Sequence, residues 1–451
     1  MKRIITISLI LFLNSINTYI SAYKVEYKGL YYDIDVSSMS AKLIKGDKEY
    51  SGKIIIPNEI VYNGRSLPVT EIGENTLKNS NLTSLTISSS VKIINTQGPF
   101  HTDEIIFKDS EDAILFYNYG RLIEDSINYV YIGREIKYKT KVKSASGLGN
   151  VMFCDDGSLK QLDRYTKGRK NVEIGKVVFG SKVKCIKIEL FMSCNIKEID
   201  FGNNITFSSN IGNNIRFSCP VRLPESVKEL PKWGLGVYIH MPSLILPNSL
   251  EVIPESAFEY CGANEITLGN KVKEIGDYAF LRTNITKIEI PSTIETIGYE
   301  AFGECKGLKH VIIKRNDPST VKIIERNIRG EDGTPFPENT YINGCLYVPK
   351  GSINKYANHS GFGKFFNIRE YDGTLGIEDL ENEKGRFFVE NSFLFLKKFR
   401  PNLPIKLYNE KGILIFTGAT SSEGNLSINL SLYKKGIYLL NADKQTFKIV
   451  Y

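Results

Sequence analysis

ITKIEIPSTIETIGYEAF, residues Ile285–Phe302, has a close double in EITLGNKVKEIGDYAF, which starts at Glu265. Ile266 falls on Ile288, Ile275 on Ile297, Gly276 on Gly298 and Ala279-Phe280 on Ala301-Phe302, always at an offset of 22. SLILPNSLEVIPESAF, from Ser243, sets Leu244, Leu246, Ile253 and Ala257-Phe258 one period earlier. Within a unit, Ile288 and Ile290 flank Glu289, the alternation of a short strand with one buried face. Pro291-Ser292-Thr293 turns the chain, and Ile294 and Ile297 give a second apolar pair. Gly298 is read as a tight bend, and Tyr299 to Cys305 as a helical-turn-like segment that sends Phe302 inward. One unit cannot bury its own apolar face, but a stack of units can, and the expected product is a solenoid.

Weaker copies flank the clear ones. VRLPESVKEL puts Val221 and Leu223 in strand positions, SLTISSSVKII does so with Leu85 and Ile87, and VTEIGENTL matches the second half of a unit. VYIGREI, VVFGSKVKCI and IKEIDFGNNI read as eroded copies, and LKHVIIK adds a strand at Val311 and Ile313. The array therefore spans about residues 50–370, with an irregular middle from Phe100 to Trp233 and an inserted loop at about 315–343.

The unit at Ile285–Lys309 resembles the BspA type of leucine-rich repeat, and residues 29–77 and 346–370 resemble that family's lead-in and closing segments. The expected fold is mainly β: a right-handed leucine-rich repeat solenoid with one short strand per ~22–23-residue repeat, then a small antiparallel β-sandwich. The divisions are 1–22, a signal peptide; 23–373, the repeat domain; and 374–451, the sandwich. Beyond Gly373 seven β-type runs, RFFVE to TFKIVY, alternate with turn signals, the pattern of a sandwich. Tyr408–Gly412 and Gly436-Ile437-Tyr438 resemble the C-terminal sorting domain of type IX secretion substrates, which implies a secretion-machinery partner; an ordinary Ig-like module is the alternative.

Lys2-Arg3, the apolar run Ile4–Leu13 and Ser21-Ala22 read as a secretory signal. Its loss lowers the formal charge of +8 by two; with Lys and Glu interspersed, nucleic acid is not an expected partner. No later stretch is long and apolar enough to span a bilayer. Cys194, Cys261 and Cys305 each follow a Phe by three. Two periods separate Cys261 from Cys305, ~9.6 Å at strand spacing, beyond the ~7 Å a disulfide tolerates. They read as small buried hydrophobes.

His101, His240, His310 and His359 are scattered without metal-ligand spacing, and no nucleophile elbow or phosphate loop is present. Gly147-Leu148-Gly149, Gly234-Leu235-Gly236 and the Cys154-Asp155-Asp156-Gly157 stretch read as turns. No catalytic residue, cofactor or metal is expected. The candidate binding face is the outward strand rows: Arg222, Ile245, Thr267, Glu289 and Ile312 in one, and Ser243, Glu265, Lys287 and His310 in the other. A face advancing ~4.8 Å per unit suits a protein or glycan chain more than a small ligand. The resemblance implies a secreted or cell-surface protein binding proteins or glycans of host or bacterial surfaces. A non-catalytic envelope scaffold, and more remotely an exported hydrolase, are the competing readings.

Overall fold

A computed structural model describes residues 23–95, 100–116, 126–138, 172–186, 191, 194–208, 215–235, 238–328, 331–371, 386–390, 392–397, 399–442 and 445–451. The expected signal segment, Gly147-Leu148-Gly149 and the stretch at Cys154 expected to be a turn lie outside them. The described chain is mainly β, a β-solenoid of about 11 turns with few helices. An antiparallel meander, Tyr23–Tyr27, Leu30–Asp35 and Ser40–Ile44, opens it, and its last strand pairs in parallel with Arg65–Ile72.

The strands Ser51–Ile56, Asn81–Ile87, Glu104–Phe107, Ser126–Ile132, Val172–Phe179, Cys194–Asp200 and Arg216–Phe217 form one parallel sheet. Thus the eroded middle copies keep register: Leu85, Ile105, Val130 and Val177 follow one another across the sheet and all enter a continuous core. What the middle loses is the wording of its turns.

Each clear unit carries two strands, not the single strand expected. Val252–Ile253, Glu274–Ile275, Thr296–Ile297 and Lys322–Ile323 make a second parallel sheet. After the Pro turn the chain extends again, and its amides reach the preceding turn: Gly276 N–H donates to Ile253 O at 2.8 Å and Gly298 N–H to Ile275 O at 2.7 Å.

The segment expected to be helical is a pair of successive β-turns. Tyr278 and Arg282 have φ of 58° and 60°, as do their counterparts Ser256, Tyr260, Glu300 and Glu304 at 46–57°. A left-handed residue at the third position of a turn breaks a helix. It also frees amides for the neighbouring unit: Phe258 N–H donates to Ala279 O at 2.8 Å and Phe280 N–H to Ala301 O at 2.7 Å. The second strand and the turn segment of the clear units are therefore hydrogen-bonded along the solenoid axis, and the first strand is too, except between Glu265–Thr267 and Lys287–Ile290. Gly298 is needed for proximity, not for a bend, since a Cβ there would lie 2.5 Å from Gly276 C and Asp277 N one turn away.

Packing repeats with the backbone. Phe258, Phe280, Phe302 and Phe336 stack with centroids 5.6, 5.3 and 5.1 Å apart and interplanar angles of 10°, 14° and 1°. All four are buried, each burial contributing about 1.5–3 kcal/mol. Phe336 lies in the stretch expected to be an inserted loop. That stretch is instead an enlarged turn: Lys322–Ile323 continues the second sheet, Phe302 N–H donates to Pro335 O at 2.7 Å, and the hairpin Arg326–Ile328/Glu331–Gly333 is the added part.

Carbonyls in the turns between the two strands of a unit are closed by side chains from the next turn. Ser226, Ser249 and Thr293 hydroxyls donate to Ile205, Val227 and Val272 O at 2.6, 2.8 and 2.7 Å. Arg315 does this for Ile294 O at 3.0 Å. Arg134, fully buried, reaches Ser89 O at 3.0 Å, Val91 O at 2.8 Å and Ser88 O. Burial pushes its pKa down to about 10, so it stays charged at neutral pH. The expected cysteine roles hold at Cys194, Cys261 and Cys305, which are buried; all six described cysteines are free thiols.

The seven C-terminal runs form strands in two antiparallel sets. Arg386–Glu390, Phe393–Lys397 and Leu426–Asn429 make one. Pro404–Asn409, Leu414–Ala419, Ile437–Ala442 and Gln445–Val450 make the other, which joins the solenoid's sheet where Arg369 faces Phe447. Their apolar residues form a cluster of their own around Leu394, Ile405, Leu440 and Ile449.

Candidate binding face

The period-two alternation of the strands puts the candidate residues on one side, opposite the core. Register then groups them. Arg222 pairs with Ile245, Ile245 with Thr267 and Ser243 with Glu265 on a three-stranded sheet. Lys287 pairs with His310 and Glu289 with Ile312 on the next. The two sheets are not joined through these strands, so one row is divided between Thr267 and Glu289 and the other between Glu265 and Lys287.

Arg222, Glu265 and Thr267 are exposed, and Ser243 and Ile245 half-buried. The other group is largely spoken for. Lys287 Nζ lies 2.7 Å from Glu289 Oε1, and Lys314 Nζ 2.9 Å from Oε2. Burial alone would raise the Glu289 carboxyl, but hydrogen bonds and charge from these lysines hold it below its ordinary value. His310 Nδ1 is 3.2 Å from the Tyr347 hydroxyl. Ile312, expected to face outward, is 2% exposed and packs with Cys345, Tyr347 and Tyr371. The aromatic residues of the closing strands cover it, and the 22-residue pattern gave no sign of them because the enlarged turn displaces Tyr347 from the period.

A second stretch of the same face escaped the sequence reading. Ile55, Thr86, Ile106, Tyr131, Val178 and Asp200 follow one another across the uninterrupted N-terminal sheet. Ile55 is 54% exposed, while Ile106, Tyr131 and Val178 are half-buried. Tyr131 is steadied by its hydroxyl, which donates to Asp109 Oδ1 at 2.7 Å. Beside them, Lys176 pairs with Glu198 at 3.1 Å. The signal was present in IIIPN, EIIFK and VVFG, where apolar residues stand on both faces of a strand. Among the described residues no group of three or more His, Cys, Asp or Glu is placed to hold a metal ion, and no helix is long and apolar enough to cross a membrane.

Residues 58–105, 169–233 and 237–328 match the BspA type leucine-rich repeat region in 6 copies. No curated protein matches the chain. The solved structures it is similar to include three leucine-rich or antigen proteins. The pneumococcal vaccine antigen PcpA is 15% identical over 74% of this chain and 96% of its own, with a TM-score of 0.26. A leucine-rich cell surface protein of Faecalibacterium prausnitzii is 12% identical over 78% and 96%, TM-score 0.24. A leucine-rich repeat protein of Bacteroides ovatus is 15% identical over 78% and 100%, TM-score 0.25. The six matched copies, laid over turns that stack in register, support a BspA-like leucine-rich repeat protein.

Proposed function

We propose that this is a secreted or cell-surface recognition protein whose solenoid binds protein or glycan chains of host or bacterial surfaces. In this reading residues 1–22 direct export and the terminal strands engage secretion machinery. The repeat match supports a protein-binding or recognition role. One observation favours the N-terminal face as the binding surface: Ile55, Ile106, Tyr131 and Val178 stay accessible on an unbroken parallel sheet, whereas Lys287, Glu289 and Ile312 are already partnered. Apolar and aromatic side chains at strand spacing offer a ligand chain a repeated contact.

The test is a binding panel of the full chain against matrix proteins, bacterial surfaces and glycans, beside a variant carrying Ile55→Lys, Ile106→Lys and Val178→Lys. Loss of binding by a variant that keeps its circular dichroism supports the reading. Unchanged binding would move the surface elsewhere. No binding by the parent chain would favour a scaffold.

A further inference from the structure

The terminal strand Gln445–Val450 meets the last solenoid strand, Ile368–Tyr371, at Phe447 and Arg369. The Arg369 guanidinium lies 4.6 Å from the centre of the Phe447 ring. One residue on, Lys448 is only 1% exposed. Its ammonium donates to Ala357 O at 3.3 Å and to Gly363 O. Ala357 ends the helix Ile353–Ala357, and Gly363 lies in the 3-10 turn Phe362–Lys364. Both are places where helical geometry leaves carbonyls without an internal partner and where a cation is favoured. An ammonium is costly to bury unless such acceptors receive it, so the arrangement joins two parts of the chain that each lack something alone.

We infer that Lys448 is a latch that fastens the terminal strands onto the last solenoid turn, making them the cap of the solenoid. The cap pairs with Ile368–Tyr371 at Arg369, on an edge that would otherwise offer unpaired donors and acceptors. Loss of the terminal strands would therefore open a pairing edge for an extended strand of another chain. The latch goes beyond the recognition reading and stands whether or not that reading does.

A protease sequence inserted after Gly376 and cut in the folded full chain tests it by size exclusion. The C-terminal fragment should stay bound in the parent and in Lys448→Arg, which keeps the donors. Lys448→Glu sets a carboxylate against both carbonyls and should weaken retention by at least about thirtyfold. Release from the parent, or equal retention by Lys448→Glu, would overturn the latch. In the uncut chain, amides of Ile368–Tyr371 should exchange about tenfold faster in Lys448→Glu; unchanged exchange would also overturn it.

Discussion

Replacing Phe280 with Ala removes a ring from the middle of the aromatic column. The ring is fully buried, with Phe258 at 5.6 Å on one side and Phe302 at 5.3 Å on the other, both nearly parallel to it. Truncating such a residue costs about 3–5 kcal/mol, because surrounding turns pinned by backbone bonds cannot close the cavity. Within that, two ring neighbours account for about 1–3 kcal/mol, twice the usual pair contribution. Phe280→Leu isolates this part, since it keeps most of the apolar volume and loses both ring contacts. The assay is urea unfolding of the full chain followed by tyrosine fluorescence and hydrogen exchange. Because each turn touches only its neighbours, exchange should rise most between residues 244 and 313. A loss below about 1 kcal/mol for Phe280→Ala, or exchange raised evenly along the chain, would refute the packed column.

Arg134→Met should destabilise by at least about 2 kcal/mol, because Ser88, Ser89 and Val91 carbonyls lose a charged donor; calorimetry of both chains checks it. The Glu289 carboxyl should titrate by NMR below its ordinary 4.5. Its contribution to stability is then present above the unfolded value and lost as pH falls through the folded one. Lys287→Ala should move the midpoint upward. Burial pushes Cys261 and Cys305 up to about 11, so mass spectrometry after iodoacetamide treatment of the native chain at pH 8 should find both unmodified. Denaturant should expose them.

The second strand of each unit and Phe336, which lies off the period, were not legible, whereas the first strand and the column from Phe258 to Phe302 were, because apolar residues recur at one spacing. The turns were less so. Asn75 and Asn79 occupy the same two left-handed positions, at φ 55° and 60°, as Tyr278 and Arg282, and Asn is a residue type that marks such sites. The clear copies hide the feature under Tyr, Arg and Glu, whose inter-turn bonds offset about 1–2 kcal/mol of backbone cost per residue. Gly298 was misread because proximity to the next turn is invisible in a single unit. The binding face was half legible. Alternation identified which side chains point outward, but which of them find partners depends on Lys314, Tyr347 and Tyr371, contributed by turns that break the period.

Hydroxyl-radical footprinting of the full chain, alone and with whichever partner binds in the panel, tests the strand-face claim most directly. Protection concentrated at Ile55, Ile106, Tyr131 and Val178 is the predicted result. Protection confined to residues 243–313 or to the terminal strands, with those four side chains unchanged, would contradict it.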